Sequence, residues 1–223
     1  MNISLFDLDN TLLPIDSDES WGNFMARSGA VDAEEFARRN NAFYRQYLTG
    51  TLDVREYVRF VCEGLRSCGR EGSEGLRAQF MREVIKPAIR PQALALLDAR
   101  RRAGDAVAIV TATNDFVSVP IAQALGVEEV IATRLALGDD GWVTGEIDGT
   151  PSFREGKITR VAEWLAARGL DWNSARITFY SDSINDLPLL EKAQQPVATN
   201  PDARLRAVAE ERGWRILNLF TAP

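Results

Sequence analysis

The fold is set by residues 3–11, which read Ile3-Ser4-Leu5-Phe6-Asp7-Leu8-Asp9-Asn10-Thr11. A short apolar run bounded by turn-forming residues is typical of a buried strand. Two further runs of this kind, Ala106 to Val110 and Ile177 to Tyr180, end beside Thr111 and Asp182. Ligands of open parallel sheets bind beyond the carboxyl ends of the strands, so these polar side chains can meet at one site.

The segments between these strands carry helical patterns. Helical periodicity with a terminating glycine covers Pro91 to Ala103, Phe116 to Leu125 and Lys157 to Arg168, and each precedes another strand candidate. Residues 134–147 differ, because two short apolar segments flank a glycine-rich acidic turn and indicate a β-hairpin. The alternation predicts an α/β protein with a three-layer, Rossmann-like core built on a parallel sheet.

Between Asp16 and Pro87 the strand signal disappears. Amphipathic helical patterns, broken by Gly29, Gly50 and the cluster Gly69-Gly72-Gly75, cover Trp21 to Ala26, Glu34 to Leu48, Val54 to Leu65 and Leu76 to Ile85. Because this stretch starts a few residues after Asp7, it can cover the sheet edge as a lid. We expect an all-helical cap of residues 15–88 inserted into a core formed by residues 1–14 and 89–223.

The amino-acid composition limits the catalytic groups that the protein can use. The 223 residues carry a formal charge of −6 and include no histidine. A histidine side chain therefore cannot activate a nucleophile, bind a metal or act as an acid or base in this protein. The groups that remain for catalysis are carboxylates, hydroxyls, lysine and metals that prefer oxygen ligands. The negative charge argues against a nucleic-acid partner.

The location of the protein is also indicated by the sequence. The first residues lack a signal-peptide pattern, and no segment approaches the roughly 18 apolar residues of a membrane span. The two cysteines, Cys62 and Cys68, form neither a disulfide framework nor a zinc site and suit a reducing compartment. We expect a cytoplasmic protein with no membrane partner.

The first candidate site residues follow the first two strands and open a helix. Asp7 and Asp9 lie two positions apart, although aspartate also favours turns and caps. Thr111 could be an ordinary strand threonine, and Lys157 could be a solvated charge. Lys157 lies in the first turn of a predicted helix, however, where the helix dipole disfavours a cation unless an anion is near. A bound phosphate would supply that anion.

A second acidic cluster follows the third strand at residues 181–186. A capping box accounts for Ser183 with Asp186 but leaves Asp182 and Asn185 unexplained. The ordered set of paired aspartates, strand-end threonine, helix-start lysine and second acidic cluster is more specific than any of its members.

These residues resemble the motifs of the haloacid dehalogenase-like hydrolases, in the branch that contains phosphoserine phosphatase. Residues 7–12 are similar to the first motif of that family, Thr111 to the second, Lys157 to the third and Asp182 through Asp186 to the fourth. The similarity covers essentially the whole chain, including the cap. Ser181 replaces a commoner glycine, and residues 111–114 lack a glycine after the hydroxyl, which bears on substrate fit.

The resemblance implies a Mg²⁺-dependent phosphatase. Asp7 would attack phosphorus and form an aspartyl-phosphate. Asp9 would protonate the leaving oxygen and then accept a proton from the attacking water, so the pH–rate profile is expected to depend on it. The implied metal ligands are the Asp7 carboxylate, the Asp9 main-chain carbonyl and Asp182.

Further residues receive supporting roles from the same resemblance. The groups implied to hold the phosphoryl oxygens are Thr111, Lys157, Leu8 and Ala112. Asn185 and Asp186 are implied to position metal-bound water and the lysine.

Specificity is expected to come from the cap. Phosphoserine phosphatases carry an acidic residue just past the nucleophile loop that meets the amino group of the substrate, and Asp16, Asp18 and Glu19 occupy that region. Arg45 and Arg55 are candidate partners of a substrate carboxylate. Acids at a helix start also act as caps, and helical arginines are commonly exposed.

The expected substrate is a small phosphate ester, phosphoserine-like or otherwise amino-bearing. Histidinol phosphate or another phosphate ester is the alternative within the same branch. The protein is expected to act as a monomer or homodimer.

Three rival functions share parts of this pattern. A dehalogenase on the same fold needs the nucleophile but no second aspartate, and Asp9 argues against it. A phospho-accepting receiver domain is shorter and lacks both the adjacent aspartate pair and a cap. A degenerate binding protein on this scaffold is the third, although the residue types needed for catalysis are intact.

Overall fold

A six-stranded parallel sheet organises the protein in the computed structural model, which describes residues 1–220. Its strands are β1 (Asn2–Phe6), β2 (Ala106–Asn114), β3 (Glu129–Thr133), β6 (Arg176–Ser181), β7 (Gln195–Thr199) and β8 (Arg215–Leu217). They lie in the order β3-β2-β1-β6-β7-β8. The predicted α/β fold with a parallel sheet is confirmed. The predicted core extended to residue 223, and residues 221–223 lie outside the described residues.

The central strand β1 is buried on both faces. Ile3 and Leu5 pack in one hydrophobic cluster, and Phe6 packs in the other, because alternate side chains of a strand point to opposite faces. The Phe6 ring stacks on Tyr180 of β6 with centroids 4.4 Å apart. Burial on both faces explains why this strand reads as a continuous apolar run.

Helices cover the sheet and fill the segment between β1 and β2. That segment contains α1 (Ser17–Arg27), α2 (Ala33–Thr49), α3 (Val54–Phe80), a π-helical turn (Met81–Ile85) and α4 (Lys86–Ala88). The remaining helices are α5 (Pro91–Arg102), α6 (Asp115–Ala124), α7 (Glu155–Ala166), a 3-10 turn (Ile184–Asp186), α8 (Leu187–Lys192) and α9 (Ala203–Glu211). We call residues 17–88 the helical insertion.

The helical insertion has an aromatic core of its own. Trp21 of α1 meets Phe80 at the end of α3 with ring centroids 5.3 Å apart, and Phe24 lies 5.5 Å from the same ring. Asp16 and Asp53 cap α1 and α3 by accepting hydrogen bonds from main-chain amides of the first turn. The chain between β1 and β2 is therefore organised as packed helices, as predicted.

The predicted break at the Gly69-Gly72-Gly75 cluster is confirmed at Gly69. This residue has φ of 67° and ψ of 173°, so α3 consists of two helical segments joined by a kink there. A positive φ of this kind favours glycine, which has no Cβ. Gly72 and Gly75 lie within the second segment.

The β-hairpin consists of β4 (Leu135–Leu137) and β5 (Val143–Ile147), which pair antiparallel as predicted. It packs on α3 rather than joining the main sheet. Arg59 Nε lies 3.1 Å from Glu146 Oε1, and Arg66 donates to the carbonyl of Thr144 at 3.1 Å. The hairpin thus fixes the long helix of the insertion to the core.

Strand β2 is longer than predicted, because it continues past Val110 to Asn114. Its pairing with β1 ends at Ile109, and its register with β3 shifts between Val110 and Asn114. Such irregularities re-aim side chains at the rim of a sheet. Among residues 1–220, no helix is long and apolar enough to cross a membrane.

Candidate active site

The carboxyl ends of β1 and β2 face the helical insertion across one cavity. The core residues that line it are Asp7, Asp9, Thr111, Ala112, Thr113 and Phe153. The insertion closes the other side with residues of α1, α2 and the start of α3. The loops after two strands therefore place their polar side chains together, as the parallel arrangement predicts.

Lys157 joins Asp7, which lines the cavity, to a second buried carboxylate, although Lys157 itself does not line the cavity. Its Nζ lies 2.7 Å from Asp7 Oδ1 and 2.7 Å from Asp186 Oδ2. The hydroxyl of Ser181 also donates to Asp186 Oδ2 at 2.7 Å. All of these side chains are buried, so Lys157 is fixed at the nucleophile candidate and is not a solvated surface charge.

The charges of this cluster are strongly coupled. Burial would lower the pKa of Lys157, but Asp186 and Asp7 outweigh it and raise this pKa above its ordinary value. Burial also raises the pKa of Asp7 to about 7, with Lys157 opposing and Asp186 adding to the rise. The lysine is therefore a stable cation, and the site holds more negative charge than that one cation offsets.

Asp9 has both carboxylate oxygens engaged. The main-chain amide of Ser17, the first residue of α1, donates to Oδ1 at 2.6 Å, and the hydroxyl of Thr113 donates to Oδ2 at 2.7 Å. Burial is the largest cause that raises the pKa of Asp9, and these hydrogen bonds lower it in part. The side chain is thus oriented and has the raised pKa that suits a proton donor.

Thr113 was missed by the sequence reasoning. It lies two positions after Thr111, and residues i and i+2 of a strand face the same side of the sheet. The spacing of the two threonines was the signal available in the sequence. Thr111 itself is buried, lines the cavity and accepts a hydrogen bond from the amide of Thr113 at 3.1 Å.

Of the other two residues predicted to bind phosphate, Ala112 lines the cavity and Leu8 does not. Ala112 lines the cavity, so its main chain is at hand for a phosphoryl oxygen. The Leu8 side chain is buried in the hydrophobic core, and its carbonyl accepts from the amides of Leu12 and Leu13. Only the main-chain amide of Leu8 can therefore serve a phosphate.

Asp182 directly follows β6 and lines a second cavity, not the one that Asp7 lines. The hydroxyl of Thr11 donates to Asp182 Oδ1 at 3.0 Å. Burial is the largest cause that raises its pKa well above the ordinary range, followed by the charges of Asp7 and Asp186. A half-buried carboxylate with this pKa is short of positive charge.

This oxygen-rich site fits Mg²⁺. Within residues 1–220, no group of three or more acidic, cysteine or histidine side chains converges as a metal cage. Mg²⁺ does not need such a cage, because it commonly binds one or two carboxylates together with waters and phosphate oxygens. Asp7 and Asp182 supply carboxylates, and the excess negative charge around Lys157 is what a divalent cation would offset.

Backbone geometry places Lys157 in the cluster. Arg154, before α7, adopts a φ of 51°, and Gly156 lies close to the preceding loop. A Cβ at Gly156 would lie 2.1 Å from the carbonyl oxygen of Pro151, so a larger residue does not fit without a shift. The tight approach brings the first turn of α7 against the site.

Asn185 contacts the insertion. Its Nδ2 donates to the carbonyl of Tyr47 at 3.0 Å. Arg154 donates to the carbonyl of Gly50 at 3.0 Å, and Arg204 donates to that of Leu48 at 2.8 Å. Carbonyls at a helix C-terminus lack intrahelical partners, so donors from the core satisfy the end of α2. We call these three donors the α2 clamp.

The predicted substrate residues separate into two groups. Asp16 and Asp18 line the cavity. Asp16 Oδ1 accepts from the amides of Asp18 and Glu19 at 3.0 and 2.8 Å, so it also caps α1. Arg45 and Arg55 are exposed and do not line the cavity, and this geometry does not support their predicted contact with a substrate carboxylate.

A strand-end aspartate paired with a buried lysine, beneath a helical insertion in a parallel α/β fold, defines a hydrolase-type site. The sequence profile of the haloacid dehalogenase-like hydrolases matches residues 4–191, and the chain belongs to this family. It is similar to the histidinol-phosphatase of Neisseria meningitidis serogroup C (strain 8013), with 43% identity across 97% of this chain and 98% of the relative.

Solved structures agree with this assignment. A protein with unknown function from Bordetella pertussis Tohama I has a TM-score of 0.92 at 45% identity, covering 98% of this chain and 99% of that one. A substrate-bound phosphoserine phosphatase has a TM-score of 0.64 at 18% identity, covering 96% and 91%, which shows a shared fold. The predicted family is confirmed, and the phosphatase name of the Neisseria relative agrees with the expected enzyme class.

Proposed function

We propose that this protein is a Mg²⁺-dependent phosphatase that hydrolyses a small phosphomonoester through a covalent phosphate on Asp7. The observation that carries the proposal is the buried bridge from Lys157 to Asp7 Oδ1 and Asp186 Oδ2, at 2.7 Å each. A lysine held in this way keeps the nucleophile oriented and places positive charge where phosphoryl oxygens gather.

In the first step, a carboxylate oxygen of Asp7 attacks phosphorus. The new O–P bond forms as the ester P–O bond breaks, and protonated Asp9 gives its proton to the leaving alcohol oxygen. The Ser17 amide and the Thr113 hydroxyl hold Asp9 for this transfer. Thr111 donates to a phosphoryl oxygen.

In the second step, the Asp9 carboxylate accepts a proton from the water that attacks phosphorus. The bond from phosphorus to Asp7 breaks, inorganic phosphate leaves, and both aspartates return to their starting states. Asp7, the main-chain carbonyl of Asp9 and Asp182 would hold Mg²⁺, which when bound offsets negative charge and orients the phosphoryl group.

The proposal also covers the division of the chain into domains and the cellular compartment of the enzyme. Residues 15–88 would serve as the cap and residues 1–14 and 89–223 as the catalytic core, which the cavity lined by residues of both parts supports. The engaged oxygens of Asp9 favour an acid–base role, which a dehalogenase does not need. The composition supports a cytoplasmic enzyme with a small-molecule substrate.

Amino-bearing phosphate esters are the proposed substrates. Asp16 and Asp18 on the cavity wall favour a cationic group. Phosphoserine and histidinol phosphate are the two candidates, the second because a relative of 43% identity over nearly the whole chain carries the name histidinol-phosphatase.

The test measures phosphate release from a panel of esters with Mg²⁺ and with EDTA. Asp7→Asn should reduce kcat by more than about a thousandfold, because the amide cannot attack phosphorus. Asp139→Asn, at an exposed turn of the β4–β5 hairpin, is the matched control and should keep full activity. Full activity of Asp7→Asn, or an EDTA-insensitive rate, would show that the mechanism is wrong.

A further inference from the structure

The loop after β7 borders the second cavity together with the loops after β1 and β6. Asn200 and Asp202 lie in this loop, and Asn10 and Asp182 line the same cavity. Strand β7 lies next to β6 in the sheet, so its carboxyl end is at the edge where ligands of a parallel sheet bind. The loop therefore adjoins both segments that supply the proposed metal ligands.

The side chain of Asn200 bridges two parts of the chain. Its Nδ2 donates to the main-chain carbonyl of Asn10 at 2.8 Å. Its Oδ1 accepts from the main-chain amides of Leu219 and Phe220 at 2.6 and 3.2 Å. The main-chain amide of Asn200 donates to the carbonyl of Leu217 at 2.7 Å. Asn200 thus connects the segment after β8 to the loop after β1.

The peptide units on both sides of Asn10 are fixed by hydrogen bonds. The Asn10 amide donates to the carbonyl of Ile15 at 3.1 Å, and Asn200 holds the Asn10 carbonyl. Asn10 has φ of 55°, a left-handed conformation that persists where neighbouring contacts hold it. Because a peptide unit is planar, the direction of the Asn10 N–H also sets the direction of the Asp9 carbonyl in the same unit. The carbonyl that is proposed to bind Mg²⁺ is therefore aimed by contacts to which Asn200 contributes.

The same loop also holds the segment that carries Asp182. The Asp202 amide donates to the Asp182 carbonyl at 2.8 Å, and Asp202 Oδ2 accepts from the Ile184 amide at 3.0 Å. Asp202 Oδ1 accepts from the Leu205 amide at 2.8 Å and caps α9. Residues 200–202 thus fasten both loops that contain proposed metal ligands to the start of one helix.

We propose that Asn200, anchored by the amides of Leu219 and Phe220, is a positioning residue for the Mg²⁺ site. This inference rests on the proposed phosphatase function and adds a residue that acts on the metal through the Asp9 carbonyl. Leu219 and Phe220 pack against the hydrophobic cluster that contains Phe6, which gives the bridge a fixed end. Hydrogen-bond partners behind metal ligands orient them, and their loss commonly weakens metal binding by about 10- to 100-fold.

Titration calorimetry of the metal-free protein with MgCl₂ measures the dissociation constant directly. Asn200→Gly removes the side-chain hydrogen bonds, while glycine accepts the φ of 47° found at this position. We expect the Kd for Mg²⁺ to rise by about 10- to 100-fold. Amide hydrogen exchange of the metal-free protein should become faster at Asn10 and Leu12, whose amides donate within the loop after β1.

Steady-state kinetics separate positioning of the metal from loss of folded protein. The Mg²⁺ concentration that gives half-maximal phosphate release should rise by the same factor in Asn200→Gly. The KM for the ester at saturating Mg²⁺ should stay within about twofold of the wild-type value. A purely structural role would lower the amount of folded protein without changing the Mg²⁺ dependence of the molecules that remain folded.

Asn200→Asp separates the two ends of the bridge. Its carboxylate still accepts from the amides of Leu219 and Phe220 but has no proton to donate to the Asn10 carbonyl. The added negative charge by itself favours a cation, so a higher Kd for Mg²⁺ in this variant reports the lost donor. Asn173→Gly, in the exposed turn before β6, is the matched control and should bind Mg²⁺ like the wild-type protein.

The outcomes distinguish this inference from the phosphatase proposal. A wild-type Kd for Mg²⁺ in either folded Asn200 variant, or an equal rise in the control, overturns the role of Asn200 and leaves the phosphatase function standing. If Asn200→Gly does not fold, Asn200→Asp decides alone. A wild-type protein that neither binds Mg²⁺ nor releases phosphate overturns the proposed function and the inference with it. A raised Kd in the Asn200 variants with an unchanged control supports the inference.

Discussion

Replacing Asp18 by asparagine should stabilise the substrate-free protein at neutral and alkaline pH. Burial, followed by the charge of Asp9, raises the pKa of Asp18 from 3.8 to about 7. The unfolded chain ionises this carboxyl near its ordinary pKa, whereas the folded chain keeps its proton up to about pH 7. Between those values the folded state binds more protons, so wild-type stability falls as the pH rises.

The size of the effect follows from the same values. The rise from 3.8 to about 7 spans roughly three pH units, and about 1.36 kcal/mol per unit gives a maximum near 4 kcal/mol. Asp18 keeps partial exposure, so solvent screening reduces this to about 2 kcal/mol. Asparagine has nearly the same shape and retains an acceptor oxygen for Asn114 Nδ2, which lies 3.4 Å from Asp18 Oδ1, without the charge. We expect Asp18→Asn to gain about 2 kcal/mol near pH 8 and less than about 1 kcal/mol near pH 5.

Urea unfolding followed by tryptophan fluorescence measures this difference. Trp21 is buried in the aromatic core of the helical insertion and reports on the region that contains Asp18. Glu56→Gln, which alters an exposed acid, should unfold like the wild-type protein at both pH values. A gain that is equal at pH 5 and pH 8, or a loss of stability at pH 8, would refute the reasoning.

Two other predictions concern the supports of the site. Gly156→Ala should lower the free energy of unfolding by about 1–3 kcal/mol and reduce kcat, because the new methyl group displaces the start of α7. Gly75→Ala, where a Cβ meets nothing within 4 Å, is its control, and equal kinetics of the two variants would contradict the prediction. Arg204→Ala removes the 2.8 Å contact to the Leu48 carbonyl and should speed amide hydrogen exchange at the end of α2. Unchanged exchange there would show that this contact does not hold α2.

Much of the fold could be predicted because its signals are local. Burial on both faces makes β1 continuously apolar, and the polar residue that follows each central strand marks the edge where ligands bind. Lys157 was assigned to the same site as Asp7 by the resemblance to the family motifs, and the two side chains lie 2.7 Å apart although 150 residues separate them in the chain. The helical insertion was visible because period-3.6 patterns replace the strands.

The parts that could not be predicted depend on which face of a helix meets the cavity. Asn40, Phe43, Tyr44 and Tyr47 occupy positions i, i+3, i+4 and i+7 on one face of α2, and this face lines the cavity. Arg45 lies off that face and is exposed, so its contact with a substrate carboxylate stays a prediction that the cavity lining does not support. The amphipathic pattern of α2 shows which residues share a face, but it does not show that this face meets the cavity.

The α2 clamp shows that hydrogen bonds to main-chain carbonyls are also not predictable from the sequence. Asn185, whose implied role is to position metal-bound water, also donates its Nδ2 to the carbonyl of Tyr47. Main-chain carbonyls have the same chemistry at every position, so no residue pattern identifies which of them will accept a bond from the core. Such contacts emerge only when the insertion has docked.

The hydrogen bond from the Ser17 amide to Asp9 makes the orientation of the proposed general acid depend on the position of the helical insertion. Lifting α1 to admit an ester would withdraw one of the two donors that aim the acid, while Thr113 would remain in the core. Asp9 therefore has both of its donors only while α1 keeps the position seen here. Substrate entry and catalysis would then require different positions of α1. A variant in which α1 is held less firmly would show a lower kcat before it showed weaker substrate binding.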